Sequence, residues 1–384
     1  MVQLEKHKLM KFAVQVLIFV IAVLLLNACS SHTNSKAQPP PKNKGNLQTK
    51  TRSAVENQVN WKLPISIPEG EFYRVSGWLS DEELVYITNK EQTSTLYSYN
   101  LTSGGSKRLF QSEYPIGSVL ISPSKKNILI QAAPSSYEAK ITIIDLQGNE
   151  KYSQIIPSYE LSFEWNPYHE SEILISKFKE DWTFQVYLMD FERKVTKELS
   201  LPQPFLKWTG ENQLAYLNWD NNNQKLFAPL MIQSIAGANK QTVFPKVFQF
   251  SAFKNILMTI TVNEQAQTKA NYSFYDQKLH LIYAFTIPQL AKFSDWLVPF
   301  NDFNESKQQF ITFQPLKSTD VDTYTEGFQL ASYELDNGKS SILFEGLDNE
   351  PLALSPSGQA SLYGNRFEKL IDLRTRKITD MVKE

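Results

Sequence analysis

Cys29 is the only thiol in a chain of 384 residues, and its neighbours give it a chemistry. Leu26 stands three residues before it, Ala28 immediately before it, and Ser30 and Ser31 follow. A leucine and a small residue in those places make a lipobox pattern, in which the sulfur takes a diacylglycerol and the chain is cut just ahead of the cysteine. Asn27 departs from the usual residue of that pattern. Two acyl chains, at about 0.8 kcal/mol for each buried methylene, meet the requirement for stable anchoring that one chain fails. A lone cysteine also excludes an intrachain disulfide and a cysteine metal site.

Other residues with chemical potential are sparse. Of His7, His32, His169 and His280, only the last two fall beyond the N-terminal segments, too few for a multi-histidine metal centre. His169 belongs to a polar surface turn, and His280 alternates with apolar neighbours as a solvent-facing strand residue. Asp320, Asp322 and Glu326 lack the glycine and glutamate of a calcium loop in register, and are read as a solvated acidic loop. There is no Gly-x-Ser-x-Gly elbow, no phosphate-binding glycine loop and no His-Glu-x-x-His zinc motif. The expectation is therefore no catalytic set, no metal and no cofactor. Thirty-nine basic against 40 acidic side chains leave a formal net charge of −1, and no nucleic-acid partner is expected.

The elements that must position these residues begin with an export signal. Lys6, Lys8 and Lys11 precede an apolar run from Phe12 to Leu26, interrupted only by Gln15. At about 15 residues the run is shorter than a membrane-spanning helix and fits a signal core. Residues 1–28 are thus a signal peptide, and 29–60 a flexible tether with Pro39-Pro40-Pro41 and a basic bias from Lys36, Lys42, Lys44, Lys50 and Arg52. Residues 61–384 are long and aromatic enough to bury a core without disulfides.

Within that last region two markers repeat in step. A polar residue ends β-like runs at Asn100, Asp145 and Asp190, 45 residues apart each time, with weaker copies at Gln233, Asp276, Glu334 and Asp372. A strand-to-turn junction recurs at Trp78, Ile121, Trp165 and Trp208, spaced by 43, 44 and 43 residues, and again at Leu354-Ser355-Pro356. Four short strands in every unit of roughly 40–50 residues define a β-propeller blade. The expected fold is all-β, a single propeller of seven four-stranded blades by this count, with six and eight left open. Units begin near Phe72, Tyr114, Pro157, Pro202, Lys246, Gln289 and Asn349, and the sixth carries extra sequence between Trp296 and Gly327. Trp61–Pro68 is expected to close the ring as an outer strand of the last blade.

On that plan the loops between second and third strands share one face and mix Asn, Asp, Glu and Gln with single aromatic residues. Tyr137, Trp182 and Asp220 are the candidate binding face. Runs such as Trp78-Leu79-Ser80-Asp81, Leu96-Tyr97-Ser98-Tyr99-Asn100 and Lys107-Arg108-Leu109-Phe110 resemble TolB-type and WD40-like propeller repeats. Together with the Cys29 motif and the overall length, the chain is similar to the YqgU-like family of propeller lipoproteins from spore-forming Gram-positive bacteria. The resemblance implies a location and a fold and carries no catalytic residues. The expectation is a monomer, lipid-anchored to the cell membrane and facing away from the cytoplasm. It would bind or scaffold an envelope protein or polymer. The alternative is a propeller enzyme of lyase, lactonase or glycosidase type, which needs only two carboxylates at a set separation.

Overall fold

In a computed structural model, residues 61–220, 225–262 and 268–383 are described. Cys29, the signal segment and the tether lie outside the described residues, as do parts of two candidate loops at 221–224 and 263–267.

The repeats fold into seven antiparallel sheets of four strands each, covering residues 71–112, 116–157, 160–199, 207–247, 249–288, 301–347 and 352–380. Every four-stranded sheet draws its strands from one continuous stretch of chain, so neither end of the chain lends a strand to the sheet built by the other. The second strands are hydrophobic almost throughout because both of their faces are covered. Glu83–Lys90 buries Leu84 to Thr88 in succession, and Ile256–Val262 is similar. Outer strands such as Glu150–Pro157 are largely exposed.

Seven apolar clusters fill the spaces between sheets, one for each neighbouring pair. Ile87 and Leu96 meet Ile128 and Ile130 between the first and second sheets. Ile141 meets Ile173, Trp208 packs by Leu174, Leu230 by Leu257, Phe274 by Phe310, and Phe313 by Tyr363 around the following interfaces. The seventh cluster joins Leu362 and Leu370 of the last sheet to Tyr86 and Tyr97 of the first, which closes the ring. A sheet of four strands cannot hide both faces alone; a closed ring hides them pairwise and leaves only outer edges to solvent.

Both sequence markers have a structural cause. Where the recurring residue after a third strand is Asn or Asp, it accepts backbone N–H groups of the next turn. Asn100 holds Thr102 and Ser103, Asp145 holds Gln147 and Asn149, and Asp190 holds Glu192 and Arg193. After each first strand, Ser122, Asn166 and Ser355 do the same for the first-to-second turn. The aromatic residue just before that turn is buried at the sheet interface, as at Trp78 and Trp208.

Three expectations need correction. Trp61–Pro68 is not a strand: Pro64 and Pro68 have no N–H to give a ladder. Instead it lies as a strap over the closing seam. Ile65 N–H donates to the Met381 carbonyl at 2.7 Å, Lys62 N–H donates to the Leu101 carbonyl at 2.7 Å, and Leu63, Ile65 and Ile67 join the seam core. The sixth sheet starts at Asn301 rather than near Gln289, because residues 290–297 pair with Thr319–Asp320 in a separate three-stranded ribbon. His280 is also displaced from its expected strand. It sits in the turn just before Leu281–Pro288, largely exposed, with Nδ1 3.3 Å from Asp276.

Candidate functional site

Antiparallel order gives the ring two faces. One, here the lower, carries the turns between first and second and between third and fourth strands. The upper face carries the second-to-third loops and the connections from sheet to sheet.

The lower face is bonded to itself from turn to turn. Ser357 N–H donates to Asp81 across the seam at 2.8 Å, and Lys125 Nζ reaches the Trp78 carbonyl at 3.1 Å. Ser124 donates from its backbone and hydroxyl to Glu170, Tyr168 donates to the Lys254 carbonyl, and Lys254 N–H donates to Glu305 at 2.7 Å. Asn304 Nδ2 then reaches the Ser355 and Pro356 carbonyls at 3.0 and 2.9 Å. This belt passes from sheet to sheet, with Tyr168 stepping over the two-residue turn of the fourth. Its polar groups are committed to the fold.

The upper face is different. Among the described residues, eight aromatic side chains are exposed. Seven of them (Tyr137, Tyr159, Trp182, Phe205, Trp219, Phe293 and Phe300) sit on upper-face connections, and Tyr73 is near the start of the first strand. Five of the seven belong to the second, third and fourth sheets and their connections, where bonds and ring contacts link them into a row. Ser158 N–H donates to the Tyr137 carbonyl at 2.8 Å, and the next residue, Tyr159, meets Trp182 edge to face with centroids 5.9 Å apart. Phe178 lies beneath, 5.9 Å from Trp182 and 5.8 Å from Phe205. Gln203 Nε2 then donates to the Trp219 carbonyl at 3.3 Å.

Trp182 is held out by its backbone. Its φ of 62° is left-handed, a region costly for a side chain of this size. Its N–H donates to the Lys179 carbonyl at 2.9 Å, while Asp181 accepts from Thr183 N–H at 3.0 Å and from the Thr183 hydroxyl at 2.6 Å. The turn fixes an indole that remains 59 % exposed.

Beneath this row a cavity of about 170 Å³ runs along the inner strands, lined by Ser162, Glu164, Ser176, Phe205, Lys207 and Phe250. Glu164 lies four residues along its strand from Glu160 at the rim, a descent of about 13 Å at the usual rise of a strand. Lys207 Nζ sits 2.6 Å from the Glu164 carboxylate. Burial pushes Glu164 above the usual carboxylate range, and Lys207 pulls it back in part. On the inner strand of the sixth sheet, burial raises Asp302 to about 6, against N–H bonds from Leu354 and Phe303 and the charge of Lys125. Each carboxylate thus answers to an ammonium from another sheet. Larger hollows of about 590 and 650 Å³ flank the strap, lined by Pro64, Arg366 and Lys383, where the chain passes out of the described residues.

The three residues expected from the sequence are all on the upper face. Tyr137 and Trp182 are the first and third rings of the row, and Asp220 is exposed beside Trp219. Reading the sequence missed Tyr159, Phe205, Glu164, Lys207 and Asp302. The last three had a signal: each stands one residue before the inner-strand ring of its repeat, at Trp165, Trp208 and Phe303, so repeat alignment places charges at equivalent inner positions. In the acidic loop, Asp320 caps a one-turn 3-10 helix through Asp322 N–H, and Glu326 pairs with Lys317.

Closed seven-sheet packing with axial inner strands defines a β-propeller. The sequence model described as the YqgU-like 6-bladed beta propeller domain matches residues 100–364, and the chain belongs to that family. The matched span includes five complete sheets, the second to the sixth, and parts of the first and seventh. The chain is 25% identical over 335 residues to the uncharacterized lipoprotein YqgU of Bacillus subtilis strain 168, covering 87% of this chain and 91% of that protein. The crystal structure of the uncharacterized protein lmo1340 from Listeria monocytogenes EGD-e superposes with a TM-score of 0.77 at 28% identity, over 83% of this chain and 96% of that one. The propeller domain of the Trilobed protease from Pyrococcus furiosus, described as having an open velcro topology, gives 0.54 at 14% identity over 82% and 98% of the two chains, a likeness of fold alone.

Proposed function

We propose that this protein is a binding or scaffolding propeller of the cell envelope, with seven blades, tethered through lipid on Cys29 and facing away from the cytoplasm. The anchor is supported by the residues around Cys29 and by the name lipoprotein borne by its relative in Bacillus subtilis. The binding role rests on one observation: exposed aromatic side chains gather on the upper face while the lower face spends its polar groups on itself. Rings left in water on short, braced loops contribute little to folding and much to contact with a partner.

Crosslinking in intact cells, followed by capture through this chain, tests the reading. The native protein should yield envelope crosslinks. A variant with Tyr137, Trp182 and Asp220 all changed to Ala should lose them while keeping its melting temperature. Undiminished crosslinks from that variant would remove the upper face from the proposal.

A further inference from the structure

We infer that the upper-face row takes an uncharged, hydroxyl-rich glycan strand; this rests on the binding role proposed above. A pyranose ring shows C–H bonds on its faces and hydroxyls around its rim. It therefore seeks a flat, exposed aromatic surface with polar acceptors close by, the composition found here. Trp182 and Phe205 are 59 % and 67 % exposed and share the buried Phe178 as a support. Tyr and Trp give such area with little side-chain entropy to lose.

Three features select this ligand over others. The rings run over connections of three successive sheets, a span suited to several linked units rather than one small molecule. Exposed carboxylates neighbour them in the chain, at Glu138, Glu160, Glu180 and Asp181 against one exposed lysine, Lys179, a balance that offers acceptors to hydroxyls and disfavours a polyanion. The core of a protein interface is, in contrast, apolar and poor in charge. Finally, a cation held over these rings by their quadrupoles would find no unpaired carboxylate in the cavity beneath to add to that attraction. Here Glu164 in the cavity floor is already met by Lys207 at 2.6 Å.

The test uses the full-length protein in detergent and two probes: a β-1,4-linked N-acetylglucosamine hexamer in calorimetry, and purified cell-wall sacculi stripped of anionic polymers in cosedimentation. Binding to both is expected. Trp182→Ala and Phe205→Ala should each weaken it about tenfold or more, the equivalent of about 1.4 kcal/mol. Trp182→Tyr should keep most of it, and Phe293→Ala, an exposed ring outside the row, should keep all of it. Absence of binding to both probes, with envelope crosslinks still lost in the triple variant, overturns the glycan and leaves the binding face standing. Glycan binding untouched by Trp182→Ala and Phe205→Ala overturns the assignment to this row.

Discussion

Asp302 carries a charge in a place that resists one. Burial lifts its carboxyl to about 6, even though Phe303 and Leu354 N–H groups donate to its two oxygens and Lys125 lies within electrostatic reach. An acid whose folded value exceeds its unfolded value keeps a proton in the fold that the open chain gives up. Its contribution to stability is therefore present below pH 4 and is lost as pH rises to about 6, by on the order of 2–3 kcal/mol at most. Asp302→Asn removes this term. In denaturant titrations the variant should gain on the native protein between pH 4 and pH 8; a constant difference at both pH values would show that burial does not govern this group. The residue scale also shows how a turn serves a site. Trp182 pays for a left-handed backbone, and Asp181 and Lys179 hold it there.

At the scale of elements, the strap across the seam decides how the ring is closed. The first and last sheets share no strand, so their junction relies on packing, on the Trp78 Nε1–H bond to the Ala353 carbonyl at 2.9 Å, and on residues 61–67 laid over both. Ile65 is 5 % exposed there. Replacing it with Ala empties a site bounded by both ends of the chain and should cost about 2–4 kcal/mol of unfolding free energy, read as a lower urea midpoint. A change below about 1 kcal/mol would mean the strap only covers a junction that holds without it. The strap was visible in the sequence as an apolar segment ahead of the first repeat, and its role at the seam followed from position. Its form did not, because Pro64 and Pro68 decide between ladder and strap, and the partner edge is 316 residues away at Met381.

For the whole molecule, the ring and its proposed anchor are separable. Cys29→Ala should abolish metabolic fatty-acid labelling and release the chain from membranes, while a purified variant keeps the native melting temperature, since position 29 falls in the expected tether, well ahead of the residues that form the seven apolar clusters. Equal labelling of native and variant chains would overturn the lipid attachment. An unanchored variant that still yields the full set of envelope crosslinks would mean that the upper face finds its partner without the tether.

The sequence by itself determined what is local and periodic. The Asn and Asp that cap third-strand turns, the large apolar residue near the end of each inner strand and the runs of doubly covered second strands all recur at about 40–50 residues, because every blade solves the same packing problem. The Cys29 motif was equally local. Only the tertiary structure decided what depends on neighbouring repeats. Glu164 and Lys207 are 43 residues apart in the chain and 2.6 Å apart in space, since equivalent positions on adjacent inner strands face each other. Tyr159 and Phe205 lie in connections without a repeating motif; Tyr159 meets Trp182 directly, and Phe205 joins it through Phe178. A propeller's fold is written in each repeat, whereas its binding face is composed across repeats from the residues that packing leaves over.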